Sequence, residues 1–92
     1  MNLDKTDILS VTDLSLGKPS KVILFNDEHH SMEEVVGQIQ KAISCDALHA
    51  SKIMLQAHTT GRAIVFTGGL ERCELVASIL EEIRLGTKIE EA

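Results

Sequence analysis

The sequence predicts an α+β fold, a two-layer sandwich in the order β-α-α-β-α-β with a three-stranded sheet and its helices on one face. Three observations predict it. Two short apolar runs rich in branched residues, KVILF at 21–25 and AIVF at 63–66, have the length of buried strands. Three longer segments repeat apolar residues at helical spacing, and two of them lie between those strands. No internal repeat, low-complexity stretch or apolar run of membrane-spanning length interrupts the pattern.

Residues 1–19 hold scattered Leu, Ile and Val without a sustained period and close on Gly17 and Pro19. They are expected to form a flexible tail before one domain over 20–92. The strand at 21–25 runs into the polar loop Asn26-Asp27-Glu28-His29-His30. Ser31 and Glu34 then have capping-box spacing, with Ser31 as N-cap. The helix that follows carries Met32, Val35, Val36, Ile39 and Ile43 along one face.

Ser44 or Asp46 is the next N-cap. A second helix runs to about His58, with Ala50, Ile53, Met54 and Ala57 inward and Gly61 where a left-handed C-terminal residue belongs. After the strand at 63–66, Thr67-Gly68-Gly69 leads into a third helix over about 70–85. Its inner stripe is Leu70, Cys73, Val76, Ala77, Leu80 and Ile83, and Gly86 ends it. Thr87–Glu91 reads as a short last strand.

Ninety-two residues suit a single domain near the low end for a self-sufficient core. The apolar share of 43% has two Phe and no Trp or Tyr, which leaves no stacking platform for bases. A net charge of -5 disfavours nucleic acid and anionic membrane surfaces. The start, MNLDKTDILS, lacks the marks of a signal or transit peptide, so a cytoplasmic location is expected. Cys45 and Cys73 have no metal-ligand spacing and read as reduced thiols in apolar settings. No cofactor motif is present.

The loop Asn26–His30 is the one polar concentration in apolar surroundings. If the first two helices pack as a hairpin on the sheet, His58 falls near it. Read singly, Asn26 and Asp27 are ordinary turn residues after a strand. His58 read singly is a histidine interacting with a helix dipole.

Together the residues resemble a known family. Val22-Ile23-Leu24-Phe25-Asn26-Asp27-Glu28, then Ser31-Met32-Glu33, resembles the ClpS adaptor signature of an apolar strand, Asn-Asp-Asp and a Pro-Met-Glu helix start. Ala50, Ile53-Met54-Leu55-Gln56-Ala57-His58 and Gly61-Arg62-Ala63 are similar to that family's second helix, which ends in His and a Gly-Lys/Arg turn. The resemblance covers about residues 20–92 and is ungapped through Ile64.

That resemblance implies a monomeric adaptor of the bacterial N-degron pathway rather than an enzyme. It would bind proteins whose first residue is Leu, Phe, Tyr or Trp and hand them to the N-terminal domain of a Clp AAA+ unfoldase. Asn26, Asp27 and His58 would hold the α-ammonium group. His30, Met32, Val35, Met54, Ala57 and Ile89 would line the side-chain pocket, with Met32 as its gate. The chemistry agrees with this, because an ammonium has three donors and no acceptor. An amide oxygen, a carboxylate and a neutral imidazole nitrogen supply three acceptors.

The chain departs from the family pattern at several positions. His30 stands where a small hydroxyl residue is usual, which narrows the pocket mouth. Ala57 replaces a β-branched residue, which deepens the pocket, and Ser31 replaces Pro. Gly69 and Glu74 align with acidic and basic positions that contact the unfoldase, so that contact is expected to differ. Two other readings compete. Asp27, Glu28, His29, His30 and His58 have ligand types suited to a metal-dependent hydrolase, although without HExxH-like spacing. The topology also resembles the C-terminal domain of the ribosomal stalk protein, a structural interaction domain without an amine pocket.

Overall fold

The branched residues of Ser20–Phe25 (β1) form the middle strand of a sheet ordered β2-β1-β3, flanked by Arg62–Gly68 (β2) and Thr87–Glu91 (β3). The structure is a computed structural model that describes residues 18–92. Both pairings are antiparallel. The tail expected over 1–19 lies outside the described residues as far as residue 17, while the Pro19 carbonyl accepts the Ala92 N–H at 3.0 Å.

Val22 and Leu24 point into one core with the inner faces of Met32–Ile43 (α1), Ala47–Thr60 (α2) and Leu70–Glu81 (α3). The expected α+β order and the three-stranded sheet are therefore present. Opposite Val22 and Ile23 the ladder slips: Val22 pairs with Phe66 and Ile23 with Ile64, leaving Val65 as a bulge. A bulge breaks strict alternation, so Val65 and Phe66 both reach the core although they are adjacent in sequence.

The helix starts follow their caps. The Ser31 Oγ accepts the Glu34 N–H at 3.1 Å and the Glu34 carboxylate accepts the Ser31 N–H at 2.9 Å, which completes the capping box. Asp46 caps α2 by accepting the His49 N–H at 2.8 Å. Ser44 instead closes α1 with a left-handed φ of 55°. Gly61 closes α2 at φ 96°, where its missing Cβ is what the conformation requires.

Two expectations need correction. Met32 and Leu70 are not inward-facing; they are 49% and 53% exposed at the first turns of α1 and α3. The third helix ends at Glu81 rather than near Leu85, and Gly86 is not its terminator. Arg84 holds the left-handed conformation at φ 65°. Its N–H donates to the Glu81 carbonyl at 2.9 Å and the Leu85 N–H to the Leu80 carbonyl at 3.4 Å, a Schellman pattern. Leu80 and Leu85 are both buried, and that apolar closure stabilises a turn which a glycine would otherwise occupy.

Cys73 is fully buried on α3 and Cys45 is partly exposed, both as free thiols. Burial pushes the Cys73 thiol above its ordinary value. No helix among the described residues is long and apolar enough to cross a membrane.

The α3 stripe is testable. Leu80→Ala should lower the unfolding free energy by about 2–5 kcal/mol. Leu75→Ala, on the exposed side of the same helix, should change it by no more than about 0.5 kcal/mol. Urea denaturation followed by circular dichroism measures both, and equal losses would contradict the stripe.

Candidate functional site

Two backbone hydrogen bonds at the end of β1 place the polar loop. The Phe25 N–H donates to the Gly86 carbonyl and the Asn26 N–H to the Gly61 carbonyl, each at 3.0 Å. The second bond ties the residue before Asp27 to the glycine that closes α2. His58, in the last turn of α2, therefore sits beside Asn26 and Asp27.

These residues share one half-open hollow. Its polar lining is Asn26, Asp27, His30 and His58, and its apolar lining is Leu24, Phe25, Met32, Val35, Met54 and Ala57. It holds about 30 Å³. One water needs about 10–15 Å³ on that measure, so the space corresponds to a few heavy atoms. Val35, Met54 and Ala57 are 6%, 9% and 3% exposed, so each is core and wall together. Met32 stands at the rim with half its surface in solvent.

Asp27 organises the loop. Its Oδ2 accepts the His29 N–H at 3.0 Å and the His30 N–H at 2.6 Å, and lies 3.0 Å from His30 Nδ1. Among the described residues no hydrogen bond ends on Oδ1, and none involves the Asn26 side chain or the His58 ring. The Asp27 side chain is only 9% exposed. Burial alone would raise its carboxyl, but the His30 N–H, the His30 ring and the His29 N–H together hold it below the usual carboxylate range.

Asp27 is thus the one formally charged carboxylate lining the hollow. The nearby Arg62 lies over the Phe25 ring at 5.7 Å and pairs with Glu90 at 3.6 Å rather than with Asp27. A negative, acceptor-rich rim above apolar walls can host a small cation carrying an apolar group.

Of the residues expected at the site, Asn26, Asp27, His30, His58, Met32, Val35, Met54 and Ala57 come together. Ile89 does not. It lies on β3 opposite Val22, two residues along from the Leu24–Thr87 pair, and packs on the core. That register sets it three residues back from Phe25, away from the end of β1 where the hollow opens. Leu24 and Phe25 line the hollow and read in sequence only as a buried strand. The His30–Asp27 contact is likewise not evident from the residue types alone. The available signal was an Asp two and three residues ahead of the histidines, the spacing of a side chain that bonds its own loop. Among the described residues no three His, Cys, Asp or Glu side chains gather in a metal-holding arrangement.

The chain is similar to known proteins in sequence and in fold. The family model described as ATP-dependent Clp protease adaptor protein ClpS matches residues 17–86. An ATP-dependent Clp protease adapter protein ClpS of Cronobacter sakazakii is 43% identical over 77 residues, covering 73% of each chain. The protein of that name from Gloeobacter violaceus is 37% identical over 71 residues, covering 76% of each. A solved structure of Agrobacterium tumefaciens ClpS2 bound to L-phenylalaninamide shares the fold, with a TM-score of 0.76 at 22% identity. That likeness covers 82% of this chain and 98% of the solved one.

The Asp27 network predicts an acid-sensitive loop. A carboxyl held lower in the folded than in the unfolded state contributes stability that is complete above its unfolded value, 3.8. That contribution is lost as pH falls through the folded value. Asp27→Ala should therefore cost about 1–2 kcal/mol near neutrality, with the difference from wild type shrinking in acid. Urea unfolding at both conditions tests it, and a constant difference would count against the network.

Proposed function

The chain belongs to the ClpS family of ATP-dependent Clp protease adaptors, and from that membership we propose that it grips the free amino terminus of proteins marked for degradation. Asn26, Asp27 and His58 receive the α-ammonium group, and the first side chain enters between His30, Met32, Val35, Met54 and Ala57. The preferred first residues are large and hydrophobic, drawn from Leu, Phe, Tyr and Trp. The captured protein passes to the N-terminal domain of a Clp AAA+ unfoldase in the cytoplasm, and the adaptor itself catalyses nothing.

The observation that carries the reading is the convergence of three side chains with unused acceptor atoms on a hollow whose other lining is apolar. L-phenylalaninamide, bound by the solved ClpS2, offers a free α-amine and a benzyl group, the two features this hollow suits. Burying a Leu or Phe side chain contributes about 1.5–3 kcal/mol. Hydrogen bonds from a charged donor contribute about 1.5–3 kcal/mol each. After the entropy of association, micromolar binding is expected. An absent amine leaves several acceptors unpaired, so the free terminus is the stricter requirement.

The handover surface differs in detail from the family pattern. Gly69 caps α3 without a side-chain bond, and Glu74 is exposed one turn on. With no acidic side chain at the first and an acid at the second, the charge offered to an unfoldase is altered at both positions.

Fluorescence anisotropy with Leu- and Phe-initiated peptides tests the amine pocket. Binding should be micromolar, should vanish when the peptide is N-acetylated, and should weaken at least about tenfold in folded Asp27→Ala and His58→Ala variants. Undiminished binding of the acetylated peptide would overturn the reading.

A further inference from the structure

The walls of the hollow are not equally able to move. Leu24, Val35, Met54 and Ala57 belong to the packed core and are each at most 9% exposed. Shifting any of them means unpacking the sheet from α1 and α2. Met32 is half in solvent and has an unbranched, adaptable side chain. His30 is different again. Its side chain is only partly buried, yet both its backbone N–H and its ring nitrogen Nδ1 engage Asp27 Oδ2.

Resting on the amine-pocket reading above, we propose that His30 is the specificity-determining residue of this hollow: a ring clamped to Asp27 that limits how large a first side chain enters. The available space of about 30 Å³ suits the tip of a Leu side chain with a modest adjustment of Met32. An indole needs far more. With the core walls fixed, room beyond what Met32 yields at the rim comes from displacing the imidazole, which breaks its contact with Asp27. The same carboxylate is needed to face the ammonium through Oδ1. Size selection and amine recognition are therefore coupled: a side chain that pushes His30 aside also loosens the group that holds its own amino terminus. A small residue in place of His30 removes the wall while leaving the loop's backbone bonds to Asp27.

The experiment is a comparison of Leu- and Trp-initiated peptides, otherwise identical, by fluorescence anisotropy. Wild type should favour Leu over Trp by at least about tenfold. In His30→Ser that ratio should fall at least about fivefold. In His30→Asn, whose amide keeps a short donor toward Asp27, it should fall similarly, which separates wall removal from loss of a hydrogen bond. Circular dichroism and urea unfolding confirm that both variants fold. A wild-type ratio near one, or a ratio that neither variant moves by more than about twofold, overturns the assignment while leaving the amine pocket standing. If wild type binds neither peptide, the amine-pocket reading fails and this assignment falls with it.

Discussion

A loop can present converging acceptors only if its two anchor points are held rigidly. Here the decisive anchor is the hydrogen bond from the Asn26 N–H to the Gly61 carbonyl. It depends on the left-handed backbone at Gly61, which turns the chain sharply from α2 into β2 and leaves that carbonyl aimed at the end of β1. Without it, the end of the second helix and the start of the polar loop are separate surface features. With it, an imidazole and a carboxylate distant in sequence border the same hollow.

The second constraint is electrostatic. A carboxylate with 9% of its side chain exposed has to be compensated, and the compensation comes from the loop itself rather than from a neighbouring cation. Gathering every local donor on one oxygen keeps Asp27 ionised while the other oxygen is spared. A salt bridge to Arg or Lys would stabilise the charge too, but would occupy the place a ligand cation needs. The loop satisfies its acid locally and keeps the field over the hollow negative.

Much of this was legible from sequence because it rests on short-range rules. The Ser31–Glu34 box, the Gly61 terminator and the inward stripe of α2 are set by neighbours within a turn. What escaped rests on long-range geometry or on exceptions to those rules. Gly86 reads as a helix stop, yet Arg84 takes the left-handed position because Leu80 and Leu85 close the core around it. Ile89 has the right character for a pocket wall, but the β1–β3 register sets it opposite Val22. Leu24 and Phe25 border the hollow because β1 ends there, which no periodicity reveals. The bond from His30 to Asp27 depends on how the loop folds back, which the residue types do not reveal.

The bulge at Val65 has a consequence beyond filling the core. With the order β2-β1-β3, the outer strands leave two unpaired borders among the described residues. A small sheet of this kind is prone to recruit another copy along such a border and grow into fibres. On one side, the irregular backbone near Val65 spoils the even spacing that a docking strand requires. On the other, Lys88, Glu90 and Glu91 put charge along the five residues of β3. A molecule proposed to grip the ends of other chains is thereby shielded from adding them, or its own copies, to its sheet.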